Sequence, residues 1–271
     1  MEWIFIFAAA FGLIIGSFLN VVVHRGPVMW GLIARDQHRF GGLAFPRSYC
    51  PHCRQTLGLS DLIPLASFVF RGGKCRYCKA PISVRYPIIE LAGAGAAVAA
   101  VALWGPSLSA LLAAVFLWAL IALAAIDAET GYLPDAITLP LILIGIIANI
   151  GDRFALLQDA LIGAAVGYLS FRLIGMIFKR LRGVDGLGQG DAKLLAALGA
   201  WGGWMLLPVT VFLAALLALG GVVFAVVLGK SVDRDTEVPF GPALVVAGGL
   251  TFMLTGAGVD VAAIFAPPID L

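Results

Sequence analysis

The chain reads as a series of long apolar runs separated by short polar joints. The runs fall at about 3–23, 88–104, 108–126, 136–150, 154–178, 192–203, 204–228 and 242–265. An α-helix needs roughly 20 residues to cross about 30 Å of hydrocarbon, and most of the runs come near that length. The stretches 136–150 and 192–203 are short for full spans, so they are expected to be tilted, kinked (Pro140 lies in the first) or partly embedded. Lipid offers no partners to backbone polar groups, so runs this long and unbroken predict helices. The predicted fold is therefore an all-α polytopic membrane protein of about eight apolar helices. The first run follows Glu2 and has no basic segment ahead of it, which marks a retained span and not a signal peptide. Gly12 and Gly16, Gly163 and Gly167, and Gly199 and Gly203 have the four-residue spacing of small residues that lets membrane helices approach closely.

Composition agrees. Hydrophobic residues make up 61% of the chain and charged residues 13%, where soluble proteins average roughly half and about 25%. A mean hydropathy of +1.00 excludes an ordinary soluble domain. Ten of the 18 basic residues lie between positions 25 and 85, together with all four cysteines. By the positive-inside rule this insert is cytoplasmic and the N-terminus is outside. Alternation of eight spans then puts the joints 127–135, 179–191 and 230–237 on the same face. Lys179, Arg180, Arg182, Lys230 and Arg234 fit that placement, and the opposite face keeps only Arg153. The implied partner is a lipid bilayer, with no nucleic acid expected.

The insert carries Cys50-x-x-Cys53 and Cys75-x-x-Cys78, with 21 residues between the two pairs. Paired CxxC knuckles at about this separation predict a tetrahedral Cys₄ zinc site. Two disulfides are the alternative, which a reducing cytoplasm disfavours. Four thiolates leave no open coordination position, so the zinc would be structural and would supply folding energy to a small loop. His52, inside the first knuckle, reads as a bystander.

Two aspartates stand at the edges of apolar runs, where an ionised side chain is expensive. Asp127 closes the third run, and Asp191 opens the sixth after Gly188-Gln189-Gly190. At the end of its helix Asp127 meets the negative pole of the helix dipole, so no capping role explains it. Asp191 is also where a helix N-cap belongs, and Asp135, after Pro134, is expected to be one. Alternation places Asp127 and Asp191 at one membrane face. Two nearby carboxylates cannot both ionise easily, which splits their pKa values and suits acid–base chemistry on a peptide carbonyl. The dipole argument raises Asp127 and lowers Asp191. Gly188 and Gly190 are expected to let the backbone turn tightly and leave room for an extended substrate. Glu90 is expected at the membrane interface, and Asp185 and Glu129 read as turn residues.

The chain resembles the bacterial type IV prepilin peptidases. The likeness rests on Gly12-Leu-Ile-Ile-Gly-Ser-Phe-Leu-Asn-Val-Val-Val-His-Arg25, the paired knuckles, Asp61-Leu-Ile-Pro-Leu-Ala-Ser67 and Ser83-Val-Arg-Tyr-Pro-Ile-Ile-Glu90. It also rests on the Ile126–Pro140 stretch and on Gly188-Gln-Gly-Asp-Ala-Lys-Leu194. The resemblance implies an inner-membrane aspartic endopeptidase that cuts the basic leader from type IV prepilins or type II secretion pseudopilins at the cytoplasmic face. It further implies N-methylation of the new N-terminus with S-adenosylmethionine. Asp127 and Asp191 map onto the catalytic pair, and Cys50, Cys53, Cys75 and Cys78 onto the zinc-type cysteines. The expected division is a first transmembrane helix (1–23), the Cys₄ loop (24–87) and a membrane peptidase core (88–271). Asp185 stands where the family pattern leads one to expect Glu, and 29–42 matches no named motif. Two other readings compete. One is a presenilin-like protease cutting within the bilayer, disfavoured by the zinc loop. The other is a transporter or scaffold with proton-binding carboxylates, which mid-helix charges and inverted repeats would support.

Overall fold

The computed structural model describes residues 2–33, 42–183, 188–229, 240–261 and 263. Among these residues the regular structure is helical: α1 (Glu2–Met29), α2 (Ala66–Phe70), α3 (Arg85–Trp104), α4 (Leu108–Thr130), α5 (Asp135–Ala148), α6 (Leu157–Arg182), α7 (Gln189–Gly202), α8 (Leu206–Val227) and α9 (Phe240–Gly256). Each of the eight apolar runs lies on a helix, and short α2 belongs to the polar insert. Helices α1, α3, α4, α6 and α8 are long and apolar enough to cross a membrane. Helices α5 and α9 are shorter apolar helices, and α7, at 14 residues, extends only about 21 Å. Helix α9 ends at Gly256, and Gly258 at φ +79° turns the chain away.

The chain divides into two compact units, residues 1–122 and 123–271. In the first, α1 lies against α3 through glycines. A Cβ on Gly12 would come within 2.5 Å of the Gly93 carbonyl, and one on Gly16 within 2.6 Å of Glu90 Cα. The small-residue spacing is thus spent on backbone contact. Trp118 of α4 donates its Nε1–H to the same Gly93 carbonyl at 2.9 Å and meets Phe11 edge-on. Helix α1 continues past the expected end at 23 to Met29, carrying Arg25 with it. Arg25 is buried and donates to the carbonyls of Gly42, Leu43 and Pro46, so its charge tethers the insert.

In the second unit α7 is the core element, with Ala192 and Leu194 to Trp201 buried. A run of Ala, Gly and Leu with no charge after Lys193 lets neighbours close on every side. A Cβ on Gly167 of α6 would lie 2.7 Å from the Leu195 carbonyl, and Gly163 faces Gly199 more closely still. Helix α5 presents Gly145 to the Trp201 ring, whose Nε1–H donates to Leu141 O at 2.9 Å. Buried Asn149 donates to the carbonyls of Ala200 and Trp201 and accepts from the amides of Phe154 and Ala155. Every polar atom of that amide is used, as an apolar interior requires. Gly248 of α9 packs on Leu198, and the Thr210 and Thr251 hydroxyls join α8 to α9 at 2.8 Å.

Candidate active site and thiol cluster

Asp127 lies on α4 one turn before its end, with 8% of its surface exposed. Asp191 is the third residue of α7 and half-buried. Gly188 is the N-cap, at φ −65° and ψ 138°, so it needs no glycine-only conformation. Gly190 is different: a Cβ there would lie 2.8 Å from Leu133 Cβ. Its missing side chain is what lets α7 begin against the joint that follows α4.

A third element completes the site. Gly241 is the second residue of α9, and a Cβ on it would strike Asp127 Oδ2 and lie 3.3 Å from Asp191 Oδ1. Both carboxylates therefore occupy the space over one glycine. Gly241 carries little signal in the sequence, where only the Pro239-Phe240-Gly241-Pro242 tetrapeptide opening the last apolar run marks it.

Three expectations are corrected. Asp191 is not an N-cap, because the helix starts two residues before it, and the Gly188 amide reaches back to its carboxylate. Asp135 is the first helical residue behind the N-cap Pro134, and it pairs with Lys193. The carboxyl of Asp191 is pushed up to about 6, first by burial and then by the charge of Asp127, against the Gly188 amide, which lowers it. Desolvation thus outweighs the helix dipole from which a lowered value was expected. Asp185 lies outside the described residues.

In the first unit the four cysteines gather as their spacing predicts. Their sulfurs all lie within 4.8 Å of one another, and none is in a disulfide. Cys50 Sγ and Cys78 Sγ are 3.8 Å apart; sulfurs bound tetrahedrally at about 2.3 Å stand at nearly that separation. Each knuckle repeats the other. Cys50 N–H donates to Gln55 O and Arg54 N–H to Cys50 O, while Cys75 N–H donates to Ala80 O and Lys79 N–H to Cys75 O. Arg54 and Lys79, each just after the second cysteine of its pair, take positive φ of 59° and 60°. Tyr49–Thr56 and Lys74–Pro81 bridge the two knuckles' bases in the same way. The Cys75 thiol is pulled down to about 6, chiefly by the Cys78 amide and next by that of Tyr77. For Cys78 the Ala80 amide acts downward, but desolvation and the neighbouring thiols raise it to about 11. Four thiols this close lose protons in succession unless a cation joins them, so the donor set fits a bound metal ion.

The fold and site define a multi-pass helical membrane protein with a carboxylate pair in one unit and a four-thiol metal-type cluster in the other. Residues 10–104 match the bacterial peptidase A24 N-terminal domain. Residues 114–224 match the type IV leader peptidase family, and the chain belongs to that family. The chain is 45% identical over 260 residues to a prepilin leader peptidase/N-methyltransferase of Burkholderia pseudomallei, covering 90% of this chain and 84% of the relative. Proteins of the same name from Pseudomonas aeruginosa (41% identical, 89% and 87% covered) and Dickeya chrysanthemi (42% identical, 91% and 91% covered) are also similar. No solved structure matches the chain significantly. The five long spans and the family fit a multi-pass inner-membrane protein.

Proposed function

We propose that this chain is an aspartic endopeptidase that removes the basic leader of type IV prepilins or type II secretion pseudopilins, and then methylates the new N-terminus. The observation that carries the peptidase reading is the convergence of Asp127 and Asp191 over Gly241. In that arrangement one carboxylate takes a proton from the water that attacks the scissile carbonyl, while the other, protonated, gives its proton to the leaving nitrogen. The two titrate as a unit, and a value near 6 for Asp191 keeps the exchange of roles accessible near neutral pH. Gly190 and Gly241 let α7 and α9 close in around the pair, because a side chain at either would strike Leu133 or the carboxylates. Negative charge at the site attracts a basic leader.

The four cysteines would hold zinc, which would staple the insert without taking part in cleavage. We place the insert and both aspartates at the cytoplasmic face, where the excess of Lys and Arg in 25–85 belongs. A prepilin then meets the site at the junction of its basic leader and apolar helix without leaving the bilayer. The methyl-transfer reading rests on the relatives' names. In that step the neutral amine of the new N-terminus forms an N–C bond as the donor's C–S bond breaks. The bonding pair goes to sulfur, and the ammonium product releases a proton to water.

The mass of a prepilin incubated with the purified protein and S-adenosylmethionine tests both halves. Loss of the leader plus one methyl group is the expected result. An intact precursor sinks the peptidase reading, and an unmethylated product sinks the transferase reading alone.

A further inference from the structure

Within residues 17–90, at the base of α1 and the start of α3, the structure forms an open-mouthed pocket of about 1250 Å³. Its two ends differ in chemistry. The buried end holds Asn20, 3% exposed, and Glu90, 7% exposed. The exposed rim carries Arg47, Arg54, Lys74 and Arg76. Cys50 and Cys75 stand in the same wall, so the thiol cluster shapes the space.

At the buried end one acceptor has no donor. Asn20 Nδ2 donates to the carbonyls of Gly16 (3.3 Å) and Tyr86 (3.2 Å), and these two partners fix which end of the amide is nitrogen. Asn20 Oδ1 is left buried with no hydrogen-bond partner. A buried acceptor without a donor is costly, so a native site that keeps one invites a ligand that supplies it. Glu90 is buried within the protein. Its Oε2 accepts the Leu65 amide at 2.7 Å, and Leu65 sits at φ 58° and ψ −50°. That conformation centres a strained γ-turn, of the kind that persists where a site over-determines it. Two acceptors, one a carboxylate, thus share the deep end, with cations at the mouth. An occupant that satisfies both ends carries a donor-rich cation at one point and an anion at another, as a free α-amino acid group does.

We infer that this cavity binds the methyl donor, with Asn20 Oδ1 and Glu90 holding the ammonium of its amino-acid end. The inference rests on the methyl-transfer reading above and gives it a location. The volume exceeds what one such molecule fills, leaving room for the N-terminus to be methylated.

The test is titration calorimetry on the full chain in detergent with two probes. S-adenosylhomocysteine keeps the amino-acid end, and 5′-methylthioadenosine lacks it. Glu90→Gln is the informative variant, because its side-chain oxygen still accepts the Leu65 amide while the charge is gone. S-adenosylhomocysteine should bind Glu90→Gln about tenfold to a hundredfold more weakly than wild type, as loss of a charge-assisted hydrogen bond implies. Methylthioadenosine should bind both proteins alike, and Asn20→Leu should follow the same pattern. Equal binding of S-adenosylhomocysteine by wild type and Glu90→Gln overturns the inference and leaves the methyl-transfer reading standing. A parallel loss for both probes also overturns it, by showing a merely structural role. Failure of wild type to bind either probe removes the methyl-transfer reading with it.

Discussion

Gly241 stands so close to Asp127 that no side chain fits between them: a Cβ would strike the carboxylate Oδ2. The start of α9 therefore completes the carboxylate site by lacking an atom. Gly241→Ala should displace Asp127 or push α9 away. Misplacements of about 1 Å cost roughly a hundredfold in rate. Initial rates of leader removal should fall by at least that factor, with helix content by circular dichroism unchanged. Wild-type rates from Gly241→Ala would show that the shared space is incidental.

Asp191 yields a pH prediction. Its carboxyl rises from an ordinary 3.8 to about 6 in the folded protein, mainly through burial. A raised value means the folded state favours the neutral form. Stability from this group is full below pH 3.8 and is lost as pH climbs to about 6. Asp191→Asn, neutral at every pH, should therefore melt a few degrees higher than wild type at pH 8. The ceiling is about 3 kcal/mol. The gain should vanish at pH 4. A difference in melting temperature that does not change with pH would contradict this account.

Much of this was legible in the chain, because the relevant signals are local. Length and apolarity alone locate the helices, since lipid leaves the backbone no alternative. Cys50, Cys53, Cys75 and Cys78 announce their cluster through spacing, since each knuckle is a short self-contained turn. Asp127 and Asp191 stand out because charge beside an apolar run needs a reason. What the sequence hid depends on tertiary neighbours. Gly241 acts only through the absence of a side chain, 50 residues beyond Asp191. Asp191's shift follows how deeply it is covered, which outweighs its position on the helix. Arg25 and Glu90 look like interfacial charges at the ends of apolar runs, yet both are buried because backbone groups of the insert come to meet them.

The thiol cluster predicts a metal stoichiometry. Wild type should carry one zinc per chain by elemental analysis, and Cys50→Ser should lose most of it. Cys50 is buried and anchors the first knuckle, so the insert should also become sensitive to limited proteolysis. Retained zinc in Cys50→Ser would remove the four-thiolate assignment.

Helix packing predicts a purely structural defect. Gly199 of α7 faces the backbone of Gly163 with no room for a Cβ. Gly199→Val should force α6 and α7 apart and destabilise the second unit by roughly 1–3 kcal/mol, the usual cost of overpacking. Thermal melting in detergent reads this directly. Zinc content should stay at the wild-type level, because the thiols lie in the other unit.

The central claim is that Asp127 and Asp191 together cut the leader. The most direct measurement is leader removal from a prepilin, followed by mass spectrometry, for wild type, Asp127→Asn, Asp191→Asn and the double variant. Each single change should abolish cleavage as fully as the double, because the two carboxylates act as one unit. Cleavage near the wild-type rate by either single variant, in protein that keeps its helix content and zinc, would contradict the paired-aspartate mechanism.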